Sequence, residues 1–534
     1  MNRKLERLCA PLLLVACFLL MSALPASARD PRTGPVVIHD SYHDVSPPLW
    51  QVAIPAVPHV GPNRTIGLLR GNVTPQVTVE RRDPVGDNPG GRTPVKTIDL
   101  LNFDGQNADG VAPPDTNGAV GATQFVQWVN LEYNVYDKTT GAKIIGPIQG
   151  NSFWSGFGGS CASANDGDPI IQYDKAAGVW VAFQNVFSTP YTACLAVSTT
   201  SDATGTYNRY SFTLPESNSD FPDYPKWGVW PDGYYMSYAD FQGGFNLQFF
   251  EACAADRANI LLGNPATMQC FDAPNNDTQG LPGDLDGLTA PPAGAPNHFI
   301  HLNTTGTSSL EQLDFHVDFT NPTNSTFTDK GAISVAAFTL ICSSGTNRNC
   351  IKQPSGGEGL DSLGDRLMYR NSYRNFGTYE SILDTHTVKP TSGTGVGSVR
   401  WYELRSTPPG GPFTVFQQGT INEATNSLWM ASLAQDKLGD IAIGMSASGT
   451  ALDPSIVYTG RVPTDTKGRV EGFKIVVKGT GVQKSTSNRW GDYSSMSVDP
   501  TDDCTFWFTE EYIKTTGSFN WSTRINSFKF NGCT

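Results

Sequence analysis

The segment from Asp365 to His386 concentrates groups that could do chemistry. Arg366, Tyr369, Arg370, Tyr373, Arg374, Tyr379, Glu380 and His386 all fall within it. Guanidinium forks grip carboxylates and sulfates, and tyrosines beside them stack on sugar faces or pass protons. That combination suits an acidic polysaccharide, with Arg366, Tyr369, Arg370 and Glu380 as candidate catalytic groups and Tyr373 and Arg374 as candidate ligand contacts. The competing expectation is that Arg366 and Arg370 pair with aspartates of neighbouring units and meet no substrate. A second cluster, Arg489-Trp-Gly-Asp-Tyr-Ser-Ser-Met496, offers Asp492 as a catalytic carboxylate and Trp490 and Tyr493 as sugar contacts. Ser494 and Ser495 lack the Gly-x-Ser-x-Gly setting of a serine-hydrolase elbow.

Metal chemistry has one weak foothold. Asp104-Gly-Gln-Asn-Ala-Asp-Gly110, followed by Asp115 and Asn117, is rich in oxygen donors, so Asp104, Asp109 and Asp115 are the candidate ligands of a calcium ion. The spacing fails the EF-hand pattern, and an Asx-turn loop accounts for the same residues. His298 and His301 are three apart, which in a strand puts them on opposite faces rather than on one metal.

The elements that must position these groups show in an internal repeat. An Asp or Asn, a short apolar strand, a polar turn and a strand with an early aromatic recur at Asp115, Asp168, Asp223, Asp286, Asp365, Asn426 and Asp492. Successive steps are 53, 55, 63, 79, 61 and 66 residues, each long enough for a four-stranded blade. The fold expected is all-β, a single seven-bladed β-propeller of four-stranded antiparallel blades. Stacked sandwiches give no reason for seven similar units, and a β-helix repeats every 20 to 30 residues or so. The seventh unit is one strand short, so its fourth strand is expected from near Val95 to Leu101, leaving no open edge. Residues at the starts of inner strands gather at one channel mouth. A ring of aspartates there could act as acid and base on a glycosidic bond or bind a cation, but a feature shared by nearly every blade also reads as strand capping.

The start of the chain carries Arg3, Lys4 and Arg7, then an apolar run from about Ala10 to Leu24, then Ala26-Ser-Ala28. This order reads as a secretory signal peptide over residues 1–28, the alternative being a lipid anchor at Cys17. Residues 29–100, interrupted by Pro47, Pro48, Pro55, Pro58, Pro62, Pro75, Pro84, Pro89 and Pro94, form an irregular arm, and 101–534 form the propeller. No later stretch has the apolar length of a membrane span. A net charge of −13 argues against nucleic acid as a partner, because phosphate binding needs clustered Lys and Arg. Beyond the leader, an even eight cysteines (Cys161, Cys194, Cys253, Cys270, Cys342, Cys350, Cys504 and Cys533) suggest the disulfides of an exported protein; sequence does not fix their connectivity, but they fall naturally into four local pairs in chain order.

Four motifs carry a family resemblance: Asp109-Gly-Val-Ala-Pro-Pro-Asp-Thr-Asn-Gly-Ala-Val-Gly121, Asp365-Arg-Leu-Met-Tyr-Arg370, Val399-Arg-Trp-Tyr-Glu-Leu-Arg405, and Trp490-Gly-Asp-Tyr-Ser-Ser-Met-Ser-Val-Asp-Pro500 with Cys504-Thr-Phe-Trp507. Over roughly Leu100 to Cys533 the chain resembles a group of large secreted bacterial proteins of uncharacterised activity. The resemblance implies export and a propeller-like repeat and brings no catalytic assignment. Sialidase-like glycosidases and propeller lyases are similar only at fold level, and the Asp-boxes of sialidases are absent. Two functions remain open: an extracellular propeller that binds a polysaccharide or another surface ligand, or a glycan-active hydrolase or lyase working at the channel mouth.

Overall fold

The structure is a computed structural model that describes residues 32, 34–56, 64–65, 85, 87–88, 93–244, 246–273, 279–304, 306–342, 348–393, 395–484 and 488–534. The expected leader and Cys17 lie outside these residues. The chain folds as a seven-bladed β-propeller. Its inner strands run in the order Thr116–Val120, Ile170–Asp174, Asp220–Val229, Gly283–Asp286, Asn371–Asn375, Ser427–Gln435 and Ser495–Val498. Each begins a blade that meanders outward through antiparallel neighbours, as in the register Ile170↔Phe183, Val181↔Val197 and Leu195↔Tyr210 of blade 2.

The sequence reads as strand because both faces of a blade are packed. Val179–Val186 is buried at every position, so its apolar residues run on rather than alternating with polar ones. The cores lie between successive blades. Trp128, Trp154 and Trp180 fill the gap between blades 1 and 2, and Trp227, Tyr234 and Met236 fill that between blades 2 and 3. Blade 4 is the exception. Its inner strand pairs in parallel with that of blade 5, Gly283↔Asn371 through Asp286↔Arg374, and touches its own three-stranded sheet through Leu281↔Ile300.

The ring closes as the repeat requires. Thr97–Asn107 is antiparallel to Ser522–Phe530 and supplies the fourth strand of blade 7, a few residues longer than the stretch expected to do so. Upstream, Val36–His39 and Tyr42–Val45 add edge strands to blades 3 and 2, and Asp87–Asn88 adds a parallel one to blade 5. The arm thus covers edges that would otherwise present unpaired backbone. All four disulfides pair as expected. Cys253 and Cys270 face each other across one strand pair, while most of the hairpin tip clipped by Cys342–Cys350 lies outside the described residues.

The repeat also has a backbone signature. Asp115, Asp168, Tyr224, Met430 and Asp492 all take a left-handed conformation, φ 51° to 61°, at the same turn into or along an inner strand. Asp tolerates that region better than most residues. The phase expected from sequence is therefore right for blades 1, 2 and 7, one residue early at Asp223 and four early at Asn426. Asp286 must be moved to the opposite mouth, because it ends its inner strand. Asp115, Asp168 and Asp492 thus share the left-handed step, while Asp223 and Asp365 stand beside Arg366 near the same end.

Candidate site in the central channel

Side chains crossing between non-adjacent blades fill the channel axis. The Tyr224 hydroxyl donates to the Asp492 carbonyl (2.7 Å) and the Tyr493 hydroxyl to that of Pro169 (3.0 Å). Gln172 donates to the Tyr369 hydroxyl (3.0 Å), and Arg370 reaches the Met496 carbonyl (3.3 Å). The Lys226 ammonium stands 3.4 Å from the Tyr224 ring centre and 3.9 Å from that of Tyr493, a double cation–π contact. These groups separate a strand-start end from a strand-finish end.

The strand-start end is acidic. Asp115 and Asp168 occupy the same step of adjacent blades, 0% and 2% exposed. No donor reaches either carboxyl oxygen of Asp115 among the described residues, yet Asp168 is within hydrogen-bond reach of it. Two carboxyls so placed repel when both are charged, which favours the protonated form of Asp115. Burial, then the Asp168 and Asp492 charges, push Asp115 well above the usual carboxylate range. Asp492 is also raised by burial, against the opposing pull of Arg489, which donates to it and to Asp361 (3.0 Å). Burial lowers Lys226 to about 8, and the charges of Asp168, Asp115 and Asp492 resist that shift.

The strand-finish end carries two adjoining clefts. One, with a cavity volume of about 20 Å³, is lined by Gln172, Lys175, Asp284, Tyr369, Arg370 and Ser497. The other, of about 100 Å³, is lined by Lys175, Trp230, Arg257, Leu285, Leu288 and Ala290. Lys175 belongs to both. Every cation in these walls is paired: Lys175 with Asp286 (2.7 Å), Arg257 with Asp174 (2.6 Å), and Arg370 with Asp284 (2.5 Å) and Asp286 (2.9 Å). Arg370 and Lys175 in turn hold Asp286 well below the ordinary carboxylate range despite its burial.

The residues singled out from the sequence are thus dispersed. Arg366 pairs with Asp365 (3.0 Å) and lies over the Tyr224 ring near the strand-start end, while Tyr369 and Arg370 line the first cleft. Glu380 accepts from the Tyr373 hydroxyl (2.6 Å) away from the channel, and Arg374 makes a two-pronged pair with Asp503 (2.8 and 2.6 Å). Tyr373 is a core residue packed on Trp230. Trp490 cannot be a sugar platform, because it is 0% exposed, packs on Trp429 and donates to Ser446 (3.0 Å). Tyr493 is equally buried, its ring spent on Lys226. Asp104, Asp109 and Asp115 do not converge on one ion. Asp104 pairs with Arg524, Asp109 accepts from the Val111 amide (3.0 Å), and Asp115 faces Asp168. Among the described residues, the single trio of ligand atoms within 4.8 Å of one another is Glu251, Cys253 and Cys270, whose cysteines are spent on a disulfide.

Sequence reading missed Lys226, Lys175, Trp230 and Arg257. Lys226 left a signal: it is the lone charge in the apolar, aromatic run Tyr224-Pro-Lys-Trp-Gly-Val-Trp230.

No protein-family model matches the chain, and no curated protein does either. Among solved structures, a subtype N11 neuraminidase-like protein of a flat-faced bat strain (H18N11) is similar at 9% identity, covering 74% of this chain and 96% of the other, with a TM-score of 0.34. The endo-arabinase of Bacteroides thetaiotaomicron is 14% identical over 56% of this chain and 95% of its own, at 0.29. A family 117 glycoside hydrolase of Zobellia galactanivorans is 12% identical over 83% and 92%, at 0.23. These likenesses are too distant to carry a functional assignment.

Proposed function

We propose that the chain is an extracellular binding propeller that seats a carbohydrate at the strand-finish mouth of its channel. The observation that carries this reading is the pair of adjoining clefts that share Lys175 as a wall. Their lining mixes apolar surface from Leu285, Leu288 and Ala290 with fixed polar groups. A sugar offers the same mixture, C–H faces and hydroxyls. Because each lining cation is already neutralised by a carboxylate, an anionic ligand gains no net attraction there, and a neutral glycan fits better than the acidic one expected from sequence. Four disulfides and the leader-like start support an extracellular setting, and no described helix is long and apolar enough to cross a membrane.

The test is calorimetric titration of the mature protein with neutral and acidic oligosaccharide panels, beside Lys175→Met. Saturable binding of a neutral member, weakened about tenfold or more by the substitution, supports the reading. Binding that ignores Lys175, or no binding in either panel, sinks it.

A second reading, glycosidic hydrolysis, draws on the close approach of the Asp115 and Asp168 carboxyls, two groups of the kind that acid and base catalysis uses. The burial of both ranks it behind binding. Release of reducing ends from any panel member, abolished by Asp115→Asn, would reverse that order.

A further inference from the structure

The turn that joins the first two strands of blade 6 gathers oxygen atoms that no donor reaches. It runs from Asp436 to Asp440, between Ser427–Gln435 and Ile441–Gly449, at the strand-finish end. Asp436 is 0% and Asp440 3% exposed. One oxygen of Asp436 accepts from the amides of Leu438 (2.9 Å) and Asp440 (3.0 Å). The other, Oδ2, is buried and meets no donor among the described residues. The Asp440 carboxyl stands within hydrogen-bond reach of that of Asp436, and no amide or hydroxyl of the described residues donates to it. Gln435 adds a further such atom at the same turn: its amide nitrogen donates to the Gly439 carbonyl (3.1 Å), and its Oε1 is buried without a donor.

The cations around this turn are committed elsewhere. Arg374 faces Asp436 but gives both prongs to Asp503 (2.8 and 2.6 Å). Arg405 is bonded to Glu403 (2.6 Å), and Arg461 faces Asp465. Glu471 accepts from the Lys96 amide (2.7 Å), with the Lys96 ammonium at 3.9 Å. Lys437, within the turn, points its ammonium away to the carbonyls of Asp502 (3.0 Å) and Thr534 (2.9 Å). Asp440 in contrast faces Asp436, Asp465 and Glu471, all acidic. Burial first, and then neighbouring negative charge, raise both Asp436 and Asp440 above the ordinary carboxylate range. Two buried carboxyls in contact, with no bonded cation among the described residues, are costly as ions unless a cation joins them.

We propose that this turn binds one calcium ion, with the Asp436 and Asp440 carboxylates as its charged ligands, the Gln435 amide oxygen beside them and water completing the shell. Two carboxylates match the charge of a divalent ion. The donors are oxygens throughout, which favours a hard cation over zinc or copper, and calcium tolerates an irregular set where magnesium demands an octahedron. So few protein ligands predict the weak, extracellular class of site, with a dissociation constant on the order of 10⁻⁴ to 10⁻³ M. The Lys437 amide donates to the Asp503 carbonyl (3.0 Å), and Asp503 holds Arg374, so an ion here fixes the strand-finish loops of blades 6 and 7 against blade 5. The site is separate from the clefts and does not depend on how they are read.

Calcium chloride titrated into the chelator-stripped mature protein, followed by calorimetry and by thermal unfolding, tests the idea. The wild type is expected to take up calcium saturably, with an unfolding midpoint that rises with calcium and rises less with equal magnesium. Asp436→Asn and Asp440→Asn are each expected to weaken that uptake about tenfold or more, since loss of even a group that supports a ligand costs that much. In metal-free buffer Asp440→Asn, which relieves the repulsion, is expected to unfold no earlier than wild type, so its loss of calcium response is not a loss of fold. Asp104→Asn, in the loop first expected to hold calcium, is expected to leave uptake unchanged. No uptake by the wild type, undiminished uptake by either turn variant, an equal response to magnesium, or uptake lost in Asp104→Asn overturns the proposal.

Discussion

Asp115 and Asp168 stand at the same left-handed step of adjacent blades, within hydrogen-bond reach of one another, and no donor reaches Asp115 among the described residues. Asp492, Lys226 and Arg489 are the charged groups facing the pair. The arrangement ties proton uptake to folding. Asp115 is raised in the folded chain above its unfolded value, so its proton is held at a pH where the unfolded chain has lost it. Stability is therefore greatest below the unfolded pKa near 3.8 and falls by about 1.4 kcal/mol per pH unit as pH rises toward the folded value. Asp115→Asn removes that slope. Thermal unfolding from pH 4 to 9 should show the variant gaining on wild type as pH rises. A gap that does not change with pH contradicts this account.

Arg370 bridges Asp284 and Asp286 deep in the channel. Arg370→Met strands Asp284 and leaves Asp286 with Lys175 alone, and should cost on the order of 3–5 kcal/mol, measured by denaturant unfolding. Arg366→Met should cost less, because its partner Asp365 is 13% exposed and can be solvated. Equal losses for the two would mean that burial of the partner carboxylates does not govern the cost.

Trp490 gives a test in which structural and ligand roles separate. Enclosed by Trp429, Met430 and Trp521, its replacement by Ala leaves a cavity and should destabilise by roughly 3–5 kcal/mol. Glycan affinity of the surviving folded fraction should not change. A selective loss of affinity with stability intact would return Trp490 to the ligand site.

The closing strand can be supplied separately. A chain in which residues 97–107 are replaced by a glycine–serine linker of equal length keeps the other edge strands, exposes the edge of Ser522–Phe530 and should form soluble oligomers by size-exclusion chromatography. A peptide covering residues 96–107 should restore the monomer when added in excess. A substituted chain that stays monomeric without it would show that the edge is protected another way.

Fold and site were unequally legible. Blade number and ring closure were readable because strand repeats are properties of short windows, whereas cysteine spacing suggested local pairs without fixing their connectivity. Arg366, Tyr369 and Arg370 lie within five residues, yet Arg366 pairs with Asp365 near the strand-start end and Arg370 reaches Asp284 and Asp286 in the first cleft, because the segment leading into Asn371–Asn375 is not regular strand and follows no strand period. Trp490 read as a platform because an exposed and a buried indole are spelled alike. The clefts join Lys175 of blade 2, Trp230 of blade 3 and Leu288 of blade 4, a meeting decided by the turn of one blade against the next. The pairing of Asp115 with Asp168 was half visible, since the repeat put both at strand starts while leaving their separation unstated.

The strand that completes blade 7 and its partner, Ser522–Phe530, are separated by more than four hundred residues of chain. The ring therefore cannot close blade by blade as the chain is made, because Thr97–Asn107 must wait for every inner strand before the edge that it pairs with exists.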